Sequence, residues 1–307
     1  MTTLDSPFKK GLKAMNEYEN AIEIKGVTKK YDGFTLDNIS FNVPRGSIMG
    51  FIGQNGAGKT TTIRALLNII AIDSGSISLL GQDHIKNEYE IKENIAAVFD
   101  ELPFHEIFTA KQISTMFKGL YASWDEKKYF EYLERFNIPI KKKIKKFSKG
   151  MKMKLQIATA LSHGAKLLIM DEATTGLDPI VRSEILDIFH EYLEDETNSI
   201  LMSSHITSDL EKIADCVTFI DRGKILISGY KDEILENHGI IKCKKSELEN
   251  IDKEDIVNSR INDFGAEVMV SDKEKCRKKY SKLLIEKTSL EEIMLFYVNR
   301  GKREWEQ

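Results

Sequence analysis

The segment Gly53-Gln54-Asn55-Gly56-Ala57-Gly58-Lys59-Thr60 constrains this chain more than any other. It fits G-x-x-x-x-G-K-[ST], which ordinary residue usage produces in a chain of 307 residues on the order of 1% of the time. A short apolar run, Ile48–Ile52, precedes it and reads as a buried strand. Behind it, Ile63, Leu66, Leu67 and Ile70 recur at i, i+3, i+4 and i+7, one face of a helix. Strand, glycine-rich loop and helix in that order predict an α/β fold whose loop cradles phosphate. Gly53, Gly56 and Gly58, with Asn55 and Ala57 between them, let backbone N–H groups turn inward around an anion. The helix N-terminus adds a favourable dipole. Lys59 is placed to pair with β- and γ-phosphates, Thr60 to ligate Mg²⁺ and Thr61 to bond an α-phosphate.

A second segment complements the first. Lys166-Leu167-Leu168-Ile169-Met170-Asp171-Glu172 places two acids at the carboxyl end of a four-residue apolar strand. Open α/β sheets bind ligands at that end. Asp171 is the candidate to hold the metal through water, and Glu172 the candidate to orient and polarise an attacking water. Ser203-Ser204-His205 ends the next strand, Ser199–Met202, and brings the His205 ring toward a γ-phosphate. The other histidines, His84, His105, His163, His190 and His238, read as structural.

The rest of the chain is organised around these motifs. Ile22–Lys25 and Ile39–Val43 alternate as short strands, and Pro44-Arg45-Gly46 is a turn. Between Asp100 and Lys154 the period becomes helical, with Phe117, Leu120 and Tyr121 followed by Tyr129, Tyr132, Leu133 and Phe136. Strands return at Val217–Ile220 and Lys224–Ser228, joined at Asp221-Arg222-Gly223. The tail predicts a strand at Ile240–Cys243, a helix around Asp255–Phe264 ending at Gly265, and strands at Val268–Val270 and Leu283–Glu286. A last helix starts at Thr288/Ser289 with Glu291 or Glu292 three residues on, a capping-box pattern. The divisions are therefore a polar arm over residues 1–20, with Met15 as an alternative start, an α/β domain over 21–235 with a helical insertion at about 100–154, and a small α/β appendage over 236–307.

Charge and composition exclude several classes. Lys plus Arg is 45 and Asp plus Glu is 48, so a formal net charge of -3 argues against a globally basic nucleic-acid binder. No apolar run approaches the roughly 20 residues of a membrane helix, so a membrane role needs another chain to supply the span. No apolar core of roughly 7–15 residues follows Lys9, Lys10 and Lys13 as a secretory leader requires. Cys216, Cys243 and Cys276 have no metal or disulfide spacing and read as reduced thiols. One local excess is hidden by the total: Lys141, Lys142, Lys143, Lys145, Lys146, Lys149, Lys152 and Lys154. It reads as a solvated face, as a positive field on a neighbouring nucleotide, or as a surface near an anionic inner leaflet. The aromatics of a single-strand nucleic-acid platform are missing from it.

The order of motifs resembles one family, the ATP-binding cassette (ABC) ATPases, across roughly Ile22–Ile234. The fold this implies is a P-loop NTPase cassette: a parallel-sheet core, an antiparallel β subdomain and an inserted helical subdomain. Gly176-Leu177-Asp178-Pro179 resembles the family's D-loop, and Tyr31 sits where the family places an aromatic to stack on adenine. Phe147-Ser148-Lys149-Gly150-Met151 stands where the family signature reads LSGGQ; Ser148 and Gly150 are kept, and Lys149 and Met151 depart. Ile95–Asp100 aligns with the Q-loop segment, and Asp100 stands for the usual Gln, one methylene shorter than the Glu of some exporters. These departures resemble bacterial ABC-2-type exporter ATPases, of the YtrB-like lineage.

The resemblance implies ATP and Mg²⁺ as cofactors and a head-to-tail dimer, homo- or heterodimeric, with two ATP molecules sandwiched between the subunits. Each site would combine Lys59, Thr60, Asp171, Glu172 and His205 of one chain with Ser148 and Gly150 of the other, Asp178 lying in the D-loop and Asp100 reaching the metal. It implies a separate ABC-2-type membrane permease as partner, no nucleic acid, and a cytoplasmic position at the inner face of the cell membrane. Leu102-Pro103-Phe104 reads either as a permease contact or as an apolar staple at a helix start. Export of a peptide or an envelope-active antibiotic is the cargo expectation, by analogy. The alternative is a soluble ABC ATPase outside transport. The short insertion, the single phosphate loop and the tail weigh against its DNA-repair, ribosomal and iron–sulfur forms.

Overall fold

The computed structural model describes residues 19–298; the expected arm and Met15 lie almost wholly outside the described residues. Six strands form the central sheet: β3 (Ile48–Ile52), β6 (Ile95–Phe99), β7 (Leu167–Asp171), β8 (Ser199–Ser204), β9 (Cys216–Asp221) and β10 (Lys224–Tyr230). Their order is β10-β9-β3-β8-β7-β6, parallel except for the β9–β10 hairpin. That hairpin turns at Arg222 and Gly223, both with positive φ, as a tight two-residue turn requires. Every residue of β3, β7 and β8 is buried, the pattern of parallel strands covered on both faces.

Alternation along these strands separates two cores. Ile48, Ile52, Leu168, Met170, Ile200 and Met202 face the helical side, whereas Met49, Phe51, Leu167, Ile169 and Leu201 face the other. On that second face lies an antiparallel sheet of β1 (Asn20–Tyr31), β2 (Phe34–Pro44), β4 (Ser74–Leu79) and β5 (Gln82–Asp83), ordered β2-β1-β4-β5. Phe41 stacks on Phe51 at 5.1 Å between ring centroids and joins this sheet to β3. Helix α1 (Lys59–Leu66) follows the loop, and α2 (Glu88–Asn94) precedes β6.

The helical expectation between Asp100 and Lys154 holds as α3 (Ala110–Leu120), α4 (Glu126–Arg135) and the start of α5 (Lys149–Leu161). Thr109 and Gln112 close a capping box at the start of α3, and Asp125 caps α4. Tyr129 of α4 is fully buried and donates to the Ala110 carbonyl of α3 at 2.9 Å. Past β7, α6 (Pro179–Tyr192) leads to β8, and α7 (Thr207–Ile213) to β9.

The tail follows α8 (Lys231–Asn237). It holds β11 (Gly239–Cys243), β12 (Ile256–Asn262), β13 (Gly265–Val270), α9 (Lys273–Lys279), β14 (Leu284–Glu286) and α10 (Leu290–Val298), with an antiparallel sheet ordered β12-β13-β11-β14. Ile241, Val268, Val270 and Cys276 pack on one face of that sheet. Ile240, Val257 and Met269 on the other face join Leu290, Ile293 and Phe296 of α10 and Leu210 and Ile213 of α7 in the helical-side core. Ser289 and Glu292 exchange the expected capping-box bonds at 3.2 and 3.1 Å.

Two local expectations are overturned. The helix after the phosphate loop ends at Leu66, short of Ile70: Asn68 takes a positive φ and the Ile69 N–H donates back to the Arg64 carbonyl at 2.9 Å. Ile70 still packs on the same core, because the chain folds back on itself. The helix expected over Asp255–Phe264 is instead strand β12. The Asn262 carboxamide oxygen accepts from the Phe264 and Gly265 N–H groups at 2.9 and 3.0 Å, an Asx turn that closes β12 onto β13. Ile256 and Val257 satisfy a half-buried strand as well as a helix face, and the turn decides between them.

Candidate active site

The loop from β3 to α1 is shaped by close approaches. A Cβ on Gly53 would lie 2.5 Å from the Ile220 carbonyl oxygen of β9, so only glycine lets the loop start there. Gly58 has φ +117, and a Cβ on it would lie 2.8 Å from Leu36 and 3.1 Å from the Phe34 ring. The β1–β2 hairpin therefore rests on the loop. The Ala57 N–H donates to the Gln54 carbonyl at 3.1 Å, while Asn55 and Gly56 at the tip are exposed. Gly58 caps α1 without a side chain, so no internal acceptor from the cap meets the first N–H groups of the helix.

Lys59 is 5% exposed, and its ammonium sits inside the loop. It donates to the carbonyls of Gly53 at 2.6 Å and Gln54 at 3.2 Å and pairs with Glu172 Oε1 at 3.0 Å. Thr60, exposed, and Thr61, half-buried, follow it on the first turn of α1.

Glu172 leaves β7 with φ +55, a left-handed conformation rare for a residue with a side chain. That turn brings its carboxylate back over the strand end. Oε2 accepts from the Thr175 hydroxyl at 2.7 Å and meets His205 Nδ1 at 2.7 Å. Burial pushes the Glu172 carboxyl up, and the Thr175 hydroxyl, the Lys59 ammonium and the His205 ring together outweigh it, holding it below the ordinary carboxylate value. Beside it, Asp171 Oδ1 accepts from the Ser203 hydroxyl at 2.7 Å, and the same hydroxyl accepts from the Glu172 N–H at 3.0 Å. Ser203 lies opposite Asp171 in the β7–β8 register. Lys59, Glu172 and His205 are thus one bonded cluster, with Asp171 joined to it through Ser203. Thr175 and Ser203 are members that sequence reading missed.

The remaining candidates lie around this cluster. Tyr31 is 46% exposed at the end of β1, directly across the hairpin from Phe34, with Lys29 Nζ 5.6 Å from its ring centroid. Ser148 is the N-cap of α5 and accepts from the Met151 N–H at 3.2 Å, and Gly150 faces Val181 of α6. Asp178 caps α6, accepting from the Ile180 and Val181 N–H groups at 3.1 and 3.0 Å. Asp100 follows β6 and donates its N–H to the Asp171 carbonyl at 3.1 Å. Its carboxylate pairs with Lys149 Nζ at 2.6 Å.

These residues fit a nucleotide phosphate group. The cap of α1 is bare, and the buried Lys59 ammonium has only loop carbonyls and one carboxylate for company. An incoming polyanion would meet unspent donors and replace Glu172 on that lysine. For a hard divalent cation the oxygen donors at hand are Thr60 and Asp171.

Comparison with known proteins agrees. A family model described as ABC transporter matches residues 36–175. Bacitracin transport ATP-binding protein BcrA of Bacillus licheniformis is 38% identical over 208 residues, which is 67% of this chain and 68% of that protein. ABC transporter ATP-binding protein YtrB of Bacillus subtilis (strain 168) is 30% identical over 218 residues, 71% of this chain and 74% of that one. A solved ATP-binding subunit of an ABC transporter superposes with a TM-score of 0.64 at 26% identity, over 70% of this chain and 92% of that subunit. The chain therefore belongs to the ATP-binding proteins of ABC transporters, and it is an ATPase of that family.

Proposed function

We propose that the chain is the ATP-hydrolysing subunit of an ABC-2-type exporter, working as a head-to-tail dimer that drives a separate permease. The observation that carries this reading is Glu172, turned back at the end of β7 between Lys59 and His205. When the triphosphate enters, Lys59 exchanges Glu172 for β- and γ-phosphate oxygens. Glu172 keeps its bonds to Thr175 and His205, which aim the freed carboxylate at the attacking water. The backbone of Gly53–Gly58 and the first turn at Thr60 and Thr61 surround the phosphates, and Tyr31 stacks on adenine. Thr60 and Asp171, with Asp100, would hold Mg²⁺, which would supply charge compensation on the phosphate oxygens when bound. Ser148 and Gly150 of the partner subunit complete the site, with Asp178 in the adjoining loop.

No helix among the described residues is long and apolar enough to cross a membrane, and the names of the relatives, ATP-binding proteins of transport systems, support a permease partner. Of the segment Leu102-Pro103-Phe104, Leu102 and Phe104 pack inward, Phe104 edge-on to Phe117 at 5.7 Å, so the proposed permease contact after Asp100 falls to the exposed Pro103 and Ile107. The subunit then sits at the inner face of the cell membrane through that permease. The name of BcrA supports an antibiotic or peptide as cargo. Residues 236–307 are proposed to contribute dimer contacts.

The test is Glu172→Gln. The variant should bind ATP and dimerise but turn over about 10²–10⁴-fold more slowly in the complete transporter. Hydrolysis at the wild-type rate would remove Glu172 from its role. Co-purification with a polytopic membrane protein would separate an exporter subunit from a soluble ABC ATPase.

A further inference from the structure

Two residues that depart from the family pattern meet each other. Lys149, in the signature segment, pairs through Nζ with Asp100 Oδ1 at 2.6 Å, and Asp100 stands at the Q-loop position. Both belong to the same chain. In the head-to-tail arrangement proposed above, however, they serve different nucleotides: Asp100 stands beside this chain's own Asp171, whereas Lys149 sits between Ser148 and Gly150, which face the partner's. We propose that Lys149 is a positioning residue whose exchange between Asp100 and the partner's triphosphate couples the two nucleotide sites. This inference rests on the dimer reading given above.

Three features make such an exchange physical. First, Lys149 is the first residue of α5 after its Ser148 cap, so its charge sits at the positive end of a helix and needs an anion close by. Asp100 is that anion here, and a γ-phosphate is a stronger one. Second, the pair is about half exposed, at 46% and 44% of the two side chains, so it breaks without stranding a buried charge. Third, α5 does not depend on the pair for its place. The buried Gln156 carboxamide, two turns further on, accepts from the Phe99 N–H at 3.3 Å and donates to the Phe99 carbonyl at 3.1 Å. The helix is moored at Gln156 while its amino end is free to re-pair.

The surroundings are shaped to the lysine. A Cβ on Gly176 would lie 3.2 Å from Lys149 Nζ, and Gly176 has φ +71. The lysine thus passes over the glycine that leads into Leu177-Asp178. Asp100 is tied through its own N–H to the Asp171 carbonyl, so its backbone stays at the metal end of the sheet whichever cation its carboxylate takes. One carboxylate cannot serve Lys149 and a bound metal equally. Were Asp100 to turn to a metal held in its own site, Lys149 would become available to the other site. By linkage the reverse holds equally, so the exchange favours filling both sites.

The experiment measures ATP-driven dimerisation by sedimentation in the full-length Glu172→Gln background, with and without Mg²⁺. Asp100→Asn, Lys149→Gln and the double variant are compared, with melting temperatures as a check on folding. Without Mg²⁺ nothing draws Asp100 from Lys149. Asp100→Asn should then lower the ATP needed for half-maximal dimer about 2–5-fold, the size expected of a half-exposed pair. With Mg²⁺ that advantage should shrink. Lys149→Gln should raise the ATP requirement, and adding Asp100→Asn to it should change nothing further. A merely structural ion pair would make both single variants worse. The proposal is overturned if Asp100→Asn raises or leaves unchanged the ATP requirement without Mg²⁺, or acts equally in the Lys149→Gln background. A parent that stays monomeric at saturating ATP overturns the dimer reading, and the coupling with it.

Discussion

Two carboxylates in this chain are built from similar parts and sit in opposite situations. Glu172 is bonded to one lysine, one hydroxyl and one histidine; Asp255 is bonded to Lys275 at 2.7 Å, Lys279 at 2.6 Å and the Tyr280 hydroxyl at 2.8 Å. Both are held below the ordinary carboxylate range, Asp255 chiefly by bonds from the two lysines. Glu172, however, lies at the carboxyl ends of parallel strands on a left-handed backbone, and its lysine is shared with loop carbonyls. Asp255 lies where a short 3₁₀ turn meets β12, and its lysines come from the single helix α9. A charge cluster is therefore no mark of a site in itself. The mark is a partner that can be given up to a ligand: in the proposed site Lys59 leaves Glu172 for a phosphate, whereas Lys275 and Lys279 are already divided among the carboxylates of Asp252, Glu254 and Asp255.

The largest way to break this contrast is Lys59→Ala. It should weaken nucleotide binding about 10–100-fold, the worth of one or more charge-assisted bonds, while Lys275→Ala leaves binding unchanged. Calorimetric titration checks both, and equal effects would dissolve the distinction. Next comes Tyr31→Ala, expected to weaken ATP binding about tenfold through lost stacking, with a smaller effect on inorganic triphosphate, which has no base to stack. Asp255→Asn should leave turnover intact and lower the melting temperature by about 2–4 °C. The last prediction concerns pH. The Asp255 carboxyl titrates lower in the folded chain than in the unfolded one. Its contribution is therefore full above the ordinary value near pH 4 and fades as pH falls below that. The melting-temperature gap between wild type and Asp255→Asn should narrow on going from pH 7 to about pH 3, and a widening gap would reverse the assignment.

Much of the site is legible in the sequence because it depends on short spacing. The phosphate loop needs eight consecutive residues, and Asp171-Glu172 needs only a strand before it. Thr175 and Ser203 are invisible for a different reason. Thr175 reaches Glu172 because the backbone turns at φ +55, and Ser203 reaches Asp171 because β7 and β8 pair in one register. The first depends on a backbone turn that residue identity does not announce, and the second on two strands whose residues lie 32 apart in sequence. Pairing the apolar runs 167–170 and 199–202 in parallel would have brought Ser203 opposite Asp171. The lysine-rich run shows the same limit. Lys141, Lys142, Lys143, Lys145 and Lys146 form an exposed stretch, and the three that follow are tied to carboxylates, Lys149 half exposed on Asp100, Lys152 on Glu106 and Lys154 on Glu184. Composition sees eight equal cations, and tertiary structure divides them. In the tail, Ile256 and Val257 are compatible with either period, so a turn residue, Asn262, chooses strand over helix.

The continuous core beneath α7 has a practical consequence. Leu210 and Ile213 are closed over by Leu290, Ile293 and Phe296 of the last helix, and the Leu290 N–H donates to the Glu211 carboxylate at 2.6 Å. Cutting the chain near residue 235 would turn this inner wall into an outer one. The shortened protein would present a greasy scar that collects other molecules. The tail is thus a lid screwed onto the ATPase rather than a passenger towed behind it, and its proposed dimer contacts have to be tested by changing its outer surface with the chain left whole.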